Sequence, residues 1–267
     1  MAERFCEPNI VKSRVARAFV SRLLPESIIN ELKDMGVVPY KLGKTQNISS
    51  EIAYHPDILL NNFRKGMWLC ENDPKYLPVE IKPSFFTESE TELSDSYPFD
   101  CPFNNFRLNG KLICGKSADY LIKAYAKYED LPIIFVEQNY TKCCCVLVNE
   151  NAVITSDYYI GRALRKNGFD VLTIEDSSEI GLRGMSHGLI GGCGFKISKD
   201  LIAFTGDLNK FKYGDDIRDF CANYKIDAYS ITNEKMYDYG GMLPITEYVP
   251  KEEAGISETC NFETYLI

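Results

Sequence analysis

One local pattern recurs along this chain: two short apolar strands joined by a tight polar turn, an amphipathic helix, and a third apolar strand. The clearest copy begins at Gly191-Gly192-Cys193-Gly194, a glycine-rich strand that turns at Ser198-Lys199-Asp200. Leu201-Ile202-Ala203-Phe204 comes back and ends in a sharp Gly206-Asp207 turn. Ile217, Phe220 and Cys221 then fall at helical spacing, and Ala228 to Ile231 returns as a strand. A chain built from β-β-α-β units must bury one face of each unit against its neighbours, so the recurrence constrains the fold more than any single residue does.

The other copies are read in order. Arg14 to Ser21 alternates as a strand, Pro25 opens a helix carrying Ile28, Ile29, Leu32 and Met35, and Gly36 ends it before the strand Val37 to Tyr40. Ile52 to Leu60 reads as an extended run paired with Met67 to Cys70, followed by a reduced helix near Asn72-Asp73-Pro74 and a strand near Val79 to Ile81. Residues 83–100 are the most polar stretch and read as an exposed loop within a single domain spanning 1–267. Cys101 to Phe106 is extended, Asn109-Gly110 signals a hairpin, Ser117 caps a helix to about Lys127 with Tyr120, Leu121, Ala124 and Tyr125 on its apolar face, and Ile133 to Val136 closes the unit. Cys143 to Val148 and Ala152 to Thr155 form the next hairpin, Asp157 caps the helix, and Val171 to Ile174 ends it. The final strand, Gly240 to Glu247, has no hairpin partner, whereas Arg14 to Ser21 lacks a first strand. Joining the two gives five units.

Charge and cysteine usage narrow the partners. The net charge of -8 argues against general binding to nucleic acid or to an anionic membrane. No apolar run is long enough to span a bilayer. The first eight residues lack an apolar signal region, so the ten cysteines, three of them adjacent at Cys143-Cys144-Cys145, are expected to be reduced thiols of a cytoplasmic protein. With no CxxC pair and two histidines, no structural metal is expected, and the Gly-Gly runs lack phosphate-loop spacing, so no cofactor is expected.

The repeated order, together with His55-Pro56-Asp57, Tyr140-Thr141-Lys142-Cys143, Ile154-Thr155-Ser156-Asp157, Ile190-Gly191-Gly192, Phe204-Thr205-Gly206-Asp207 and Gly240-Gly241-Met242-Leu243-Pro244, resembles the pentein, or guanidino-group-modifying-enzyme, superfamily. Within it, the chain is similar to a bacterial branch known as a domain of unknown function. The resemblance implies an α/β fold, a five-bladed α/β-propeller of ββαβ units around a pseudo-fivefold axis, with the terminal strands closing the ring. It also implies amidinotransferase-like or deiminase-like ancestry. In those enzymes a thiolate attacks a guanidinium carbon, a histidine moves protons, and carboxylates hold the cation. In the agmatine-deiminase-like members the cysteine lies in the last strand; here Pro244 stands there, and proline is no nucleophile. His187 is followed by Gly188-Leu189-Ile190 rather than by the usual Asp.

The starts of the first strands are then the groups expected at the axis. Cys143 and Cys193 are the candidate nucleophiles; Cys143 also suits a buried strand as a small apolar residue, and the glycines around Cys193 also suit tight packing at the axis. His55 and His187 are the candidate proton carriers, with satisfied structural histidines as the alternative. Asp57, Asn105, Lys142 and Glu247 are the candidate ligand-binding groups, whereas Asp157 and Asp207 read as caps. The expected function is a non-catalytic binder with a small-molecule pocket at the axis and homo-oligomer formation. The alternative is a thiol-dependent hydrolase of a guanidine, amidine or amide.

Overall fold

The computed structural model describes residues 2–249 and 260–267. Among them, five small sheets share one internal order, in which the first strand pairs antiparallel with the second and the second parallel with the third. The first sheet joins the two ends of the chain. Met242–Tyr248 pairs antiparallel with Val15–Ser21, which pairs parallel with Val38–Leu42, and Glu3–Phe5 adds an outer strand. The second contains Asn61–Arg64, Met67–Cys70 and Phe86–Glu88. Phe106–Leu108, Lys111–Gly115 and Ile133–Val136 form the third; Cys145–Leu147, Ala152–Thr155 and Asp170–Thr173 the fourth. Gly194–Ser198, Leu201–Phe204 and Asp227–Ser230 form the fifth. No helix among the described residues is long and apolar enough to cross a membrane.

The helices follow from their caps and apolar faces. Glu26–Asp34 buries Ile28, Ile29 and Leu32 and stops at Gly36, whose φ of +86° suits glycine. Tyr158–Lys166 is capped by Asp157, whose carboxylate accepts from Ile160 N at 2.8 Å. Asp207 does the same for a short 3-10 turn through Asn209 N. At Asn109-Gly110 both residues have positive φ, the turn that matches strand twist.

Five local expectations are corrected. Ile52 to Leu60 is not extended: Pro56 starts a short helix, Pro56–Leu59, and the strand begins only at Asn61. Proline at the first helical position loses no hydrogen bond, which favours the turn over the strand. The third strand of the second sheet is Phe86–Glu88 rather than 79–81; Val79 is exposed and Ile81 makes a single bridge to Leu266. The 83–100 stretch therefore contains a strand, and it buries Phe85, Ser89, Leu93 and Asp100 while Glu88, Glu90, Glu92 and Asp95 remain outside. The helix Tyr120–Tyr128 is capped by Asp119, not Ser117, and buries Ile122 and Ala126 rather than the face expected. Ser117 instead donates to Asn139 Oδ1 at 2.7 Å. Finally, Gly191-Gly192 lies in a 3-10 turn, and the strand starts at Gly194.

The cores lie between adjacent sheets. Phe195, Ile197 and Ala203 of the fifth pack with Val15, Val20 and Ile28 of the first. Phe19 and Leu42 of the first pack with Trp68 and Leu69 of the second and Leu112 of the third. Phe106, Ile113 and Ile134 meet Cys145, Leu147 and Ile160, and Ile154 meets Ile202, Phe204 and Ile217. Burying side chains of this size contributes about 2 kcal/mol each, so each sheet is stabilised chiefly by its neighbours.

Candidate functional site

The segments preceding the first strands meet through hydrogen bonds. Asp57 N donates to Gly240 O at 3.3 Å. Asn104, fully buried, donates from Nδ2 to Asp57 O at 2.7 Å and to Cys143 Sγ at 3.0 Å, and its Oδ1 accepts from Lys142 N and Cys143 N at 2.7 and 3.1 Å. Gly191 N donates to Cys143 O at 2.7 Å, and Gly241 N to Gly192 O at 3.0 Å. These bonds link segments of all five units in turn.

His55, Asp57 and Asp238 are buried at this junction. His55 Nδ1 lies 3.7 Å from Asp238 Oδ1, too far for a hydrogen bond, and has no other partner among the described residues. Asp238 is held by backbone: Oδ1 accepts from Gly240 N and Oδ2 from Leu189 N, both at 2.9 Å. Neither oxygen of Asp57 accepts a well-formed hydrogen bond. Burial raises its pKa to about 6; His55, Lys142 and the adjacent Cys143 thiol oppose the rise, whereas Asp238 adds to it. A carboxyl with a raised folded-state pKa holds its proton longer in the native protein than in the unfolded chain. Its contribution to stability is therefore fully present below about pH 4 and is lost as pH rises to about 6. Asp57→Asn should then stabilise the protein at pH 7.5 by up to roughly 3 kcal/mol and remove that slope. Denaturant midpoints measured from pH 4 to 8 check this; an unchanged slope would show that Asp57 is not buried as described.

A cavity of about 700 Å³ opens over this junction. His55 and Asp238 line it, with Glu51, Lys44 and Arg183, and with Tyr54, Tyr237 and Tyr239. The rings of Tyr237 and Tyr239 lie 4.6 Å apart, and the Tyr237 hydroxyl accepts from Arg183 N at 2.9 Å. The wall thus offers carboxylates, aromatic faces and two cations.

The expected site residues divide. Cys143, Cys193, His55 and Asp57 come together, but the two thiols and Asp57 are buried and do not line the cavity, which only His55 of the four reaches. Desolvation, then Asp57 and Asp238, push Cys143 well above the ordinary thiol pKa; desolvation and then Asp238 do the same to Cys193. Native-state alkylation by iodoacetamide should therefore be much slower at both than at a free thiol, because the thiolate is the reactive form and both thiols are buried. Adducts mapped by mass spectrometry check it; fast labelling of either residue contradicts the geometry.

The remaining four are elsewhere. His187 is exposed and does not line the cavity. Glu247 is a structural anchor, accepting from Arg4 Nε at 2.8 Å and from Lys12 N and Ser13 N at 2.6 and 2.7 Å. Asn105 is tied to Asn61 and Pro102. Lys142 donates to Cys145 O at 3.2 Å and lines a separate recess beside Pro244. Asp238 was missed. Its signal was the surrounding glycine: a Cβ on Gly192 would lie 1.6 Å from Asp238 Oδ1, and one on Gly240 would lie 2.4 Å from His55 Cβ.

Among solved structures, the chain is similar to an amidinotransferase of the saxitoxin biosynthetic pathway from Microseira wollei, with 9% identity, 92% of this chain and 98% of that one covered, and a TM-score of 0.54. It is also similar to inosamine-phosphate amidinotransferase from Streptomyces griseus (11% identity, 95% and 99% covered, TM-score 0.51) and to agmatine deiminase from C. jejuni (11%, 86% and 90%, 0.51). At such identities the likeness concerns the fold. No curated protein matches. The family of unknown function DUF6873 matches residues 19–243. With most of its length matched and its fold shared with the guanidino-modifying enzymes, this chain belongs to the DUF6873 family and carries the pentein fold.

Proposed function

We propose that the five units form a closed five-bladed α/β-propeller and that the cavity over its axis binds a small cationic or zwitterionic molecule without transforming it. The uniform strand order of the five sheets, the first sheet shared by both chain ends, and the unit-to-unit hydrogen bonds support the ring. The observation that carries the binding reading is the cluster of buried, unpartnered polar atoms, His55 Nδ1 on the wall of the cavity and both Asp57 oxygens beneath it, at a cavity lined by carboxylates, cations and aromatic rings. Orphaned buried polar atoms are costly and are retained where a ligand or water completes them. Asp238 and Glu51 suit a guanidinium, amidinium or ammonium, the tyrosine faces add cation–π attraction, and Lys44 and Arg183 suit a carboxylate at the other end.

Calorimetric titration of guanidinium, amidinium and ammonium compounds, with and without a carboxylate, tests the reading. Glu51→Gln should weaken every binder about tenfold, and Lys44→Ala only those bearing a carboxylate. A panel without a single saturable binder sinks the proposal. The alternative, a thiol-dependent hydrolase, is favoured by one observation: Cys143 Sγ accepts from Asn104 and neighbours Asp57. Against it stand the raised thiol pKa and Pro244 in the final strand.

A further inference from the structure

A second concave region lies apart from the His55 cavity and shares no lining residue with it. A cavity of about 300 Å³ is lined by Lys12, Lys196 and Lys199, with Asn9, Asn149 and Glu150. It shares Asn9, Leu147 and Lys196 with the small recess beside Pro244 that Lys142 lines. Four lysines thus line adjoining recesses with one glutamate, on a chain of net charge -8.

The carboxylates nearest these lysines act only at a distance, Asp200 on Lys196 and Lys199 and Asp57 on Lys142. Among the described residues, none of the four makes an ion pair with a carboxylate. Lys196 is largely desolvated and is held by two backbone carbonyls, Val148 O at 2.7 Å and Lys199 O at 3.2 Å. Carbonyl dipoles compensate a buried ammonium incompletely, and burial lowers the Lys196 pKa to about 8 against the milder pull of Cys221 and Asp200. Glu247, the one buried carboxylate attached to the 12–13 loop, is already held by Arg4 and by two backbone amides. An anion entering the cavity would supply the missing charge, and charge-assisted bonds to oxyanions are the strong ones.

We propose that this lysine-lined cavity is a binding site for a small multivalent oxyanion of the phosphate type, held by Lys12, Lys196 and Lys199 with Lys142 at its inner edge. The volume is at the small end of ligand sites and suits one or two phosphoryl groups. The site is independent of the His55 cavity, so either reading stands or falls alone.

The test is calorimetric titration of the full chain with inorganic pyrophosphate, with citrate and sodium chloride at matched ionic strength as separate arms. Pyrophosphate should bind saturably, chloride should not, and citrate should bind more weakly. Lys12→Ala/Lys199→Ala removes two exposed, unpaired side chains and so leaves the fold intact; it should weaken pyrophosphate about tenfold or more. Lys196→Met provides a second variant, expected to lose binding, with its unfolding midpoint recorded beside it. Equal affinity in the double variant, heat no larger than that of chloride, or citrate binding in preference to pyrophosphate would overturn the proposal.

Discussion

Gly192→Ala should destabilise the protein by about 3 kcal/mol or more. The added methyl would sit 1.6 Å from Asp238 Oδ1, 2.4 Å from Asp238 Cγ and 3.0 Å from Gly240 N. Asp238 cannot swing aside freely, because its two oxygens hold Gly240 N and Leu189 N. Accommodating the methyl therefore means breaking one or both bonds in a buried site or moving the backbone of the 190–192 turn. Overpacking of this kind costs about 1–3 kcal/mol, and an unpaired buried donor adds about 1–3 kcal/mol. Gly168→Ala is the control: it has a φ of +88° but open space around it, so it reports only the conformational cost, about 1 kcal/mol. Equal losses in the two variants, read by guanidinium denaturation, would mean that Asp238 is not seated against the glycine turn.

Asn104→Ala should be comparably severe. One carboxamide serves the second, third and fourth units together through four hydrogen bonds. Truncation leaves two backbone N–H groups and one carbonyl without those partners in a buried site, a loss of about 3–5 kcal/mol if the site stays dry. Asn104→Asp preserves the acceptor for Lys142 N and Cys143 N but deletes the donor and adds a third carboxylate to the junction of Asp57 and Asp238. It should recover less than half of the loss at pH 7.5. A fall below about 1 kcal/mol for the alanine variant would show that the units do not depend on this link.

The architecture was largely legible because each unit repeats a strong local signal: a hairpin turn, a capped amphipathic helix and a β-prone run. Asn109-Gly110, Asp157 and Gly36 mark their boundaries through chemistry visible in the sequence. The second unit was misread where two signals competed. Ile58-Leu59-Leu60 is as apolar as a strand, but Pro56 favours a helical turn, and the turn won. Asp119 displaced Ser117 as a cap because the serine hydroxyl found Asn139, a partner 22 residues away that spacing does not reveal.

The site was legible only in outline. Of the groups expected at the axis from strand starts, Cys143, Cys193, His55 and Asp57 lie near one another, whereas the Asn105 and Lys142 side chains are tied elsewhere. Burial decided the rest, and burial depends on the whole assembly. The thiols sit behind the cavity wall, Glu247 is held by Arg4 and by backbone, and His187 is in an exposed loop. Asp238 belongs to no strand start; its importance appears only when His55 and the 188–192 glycine turn close on it.

The most direct test of the account pairs a binding titration with product detection on one sample. Guanidinium and amidinium compounds are titrated into the full chain at pH 7.5, and ammonia and urea release is followed to completion. The account predicts saturable binding that Glu51→Gln weakens, with no product above the uncatalysed background. Product release that disappears in Cys143→Ser, in a variant with native unfolding behaviour, would contradict it and restore thiol chemistry to the axis.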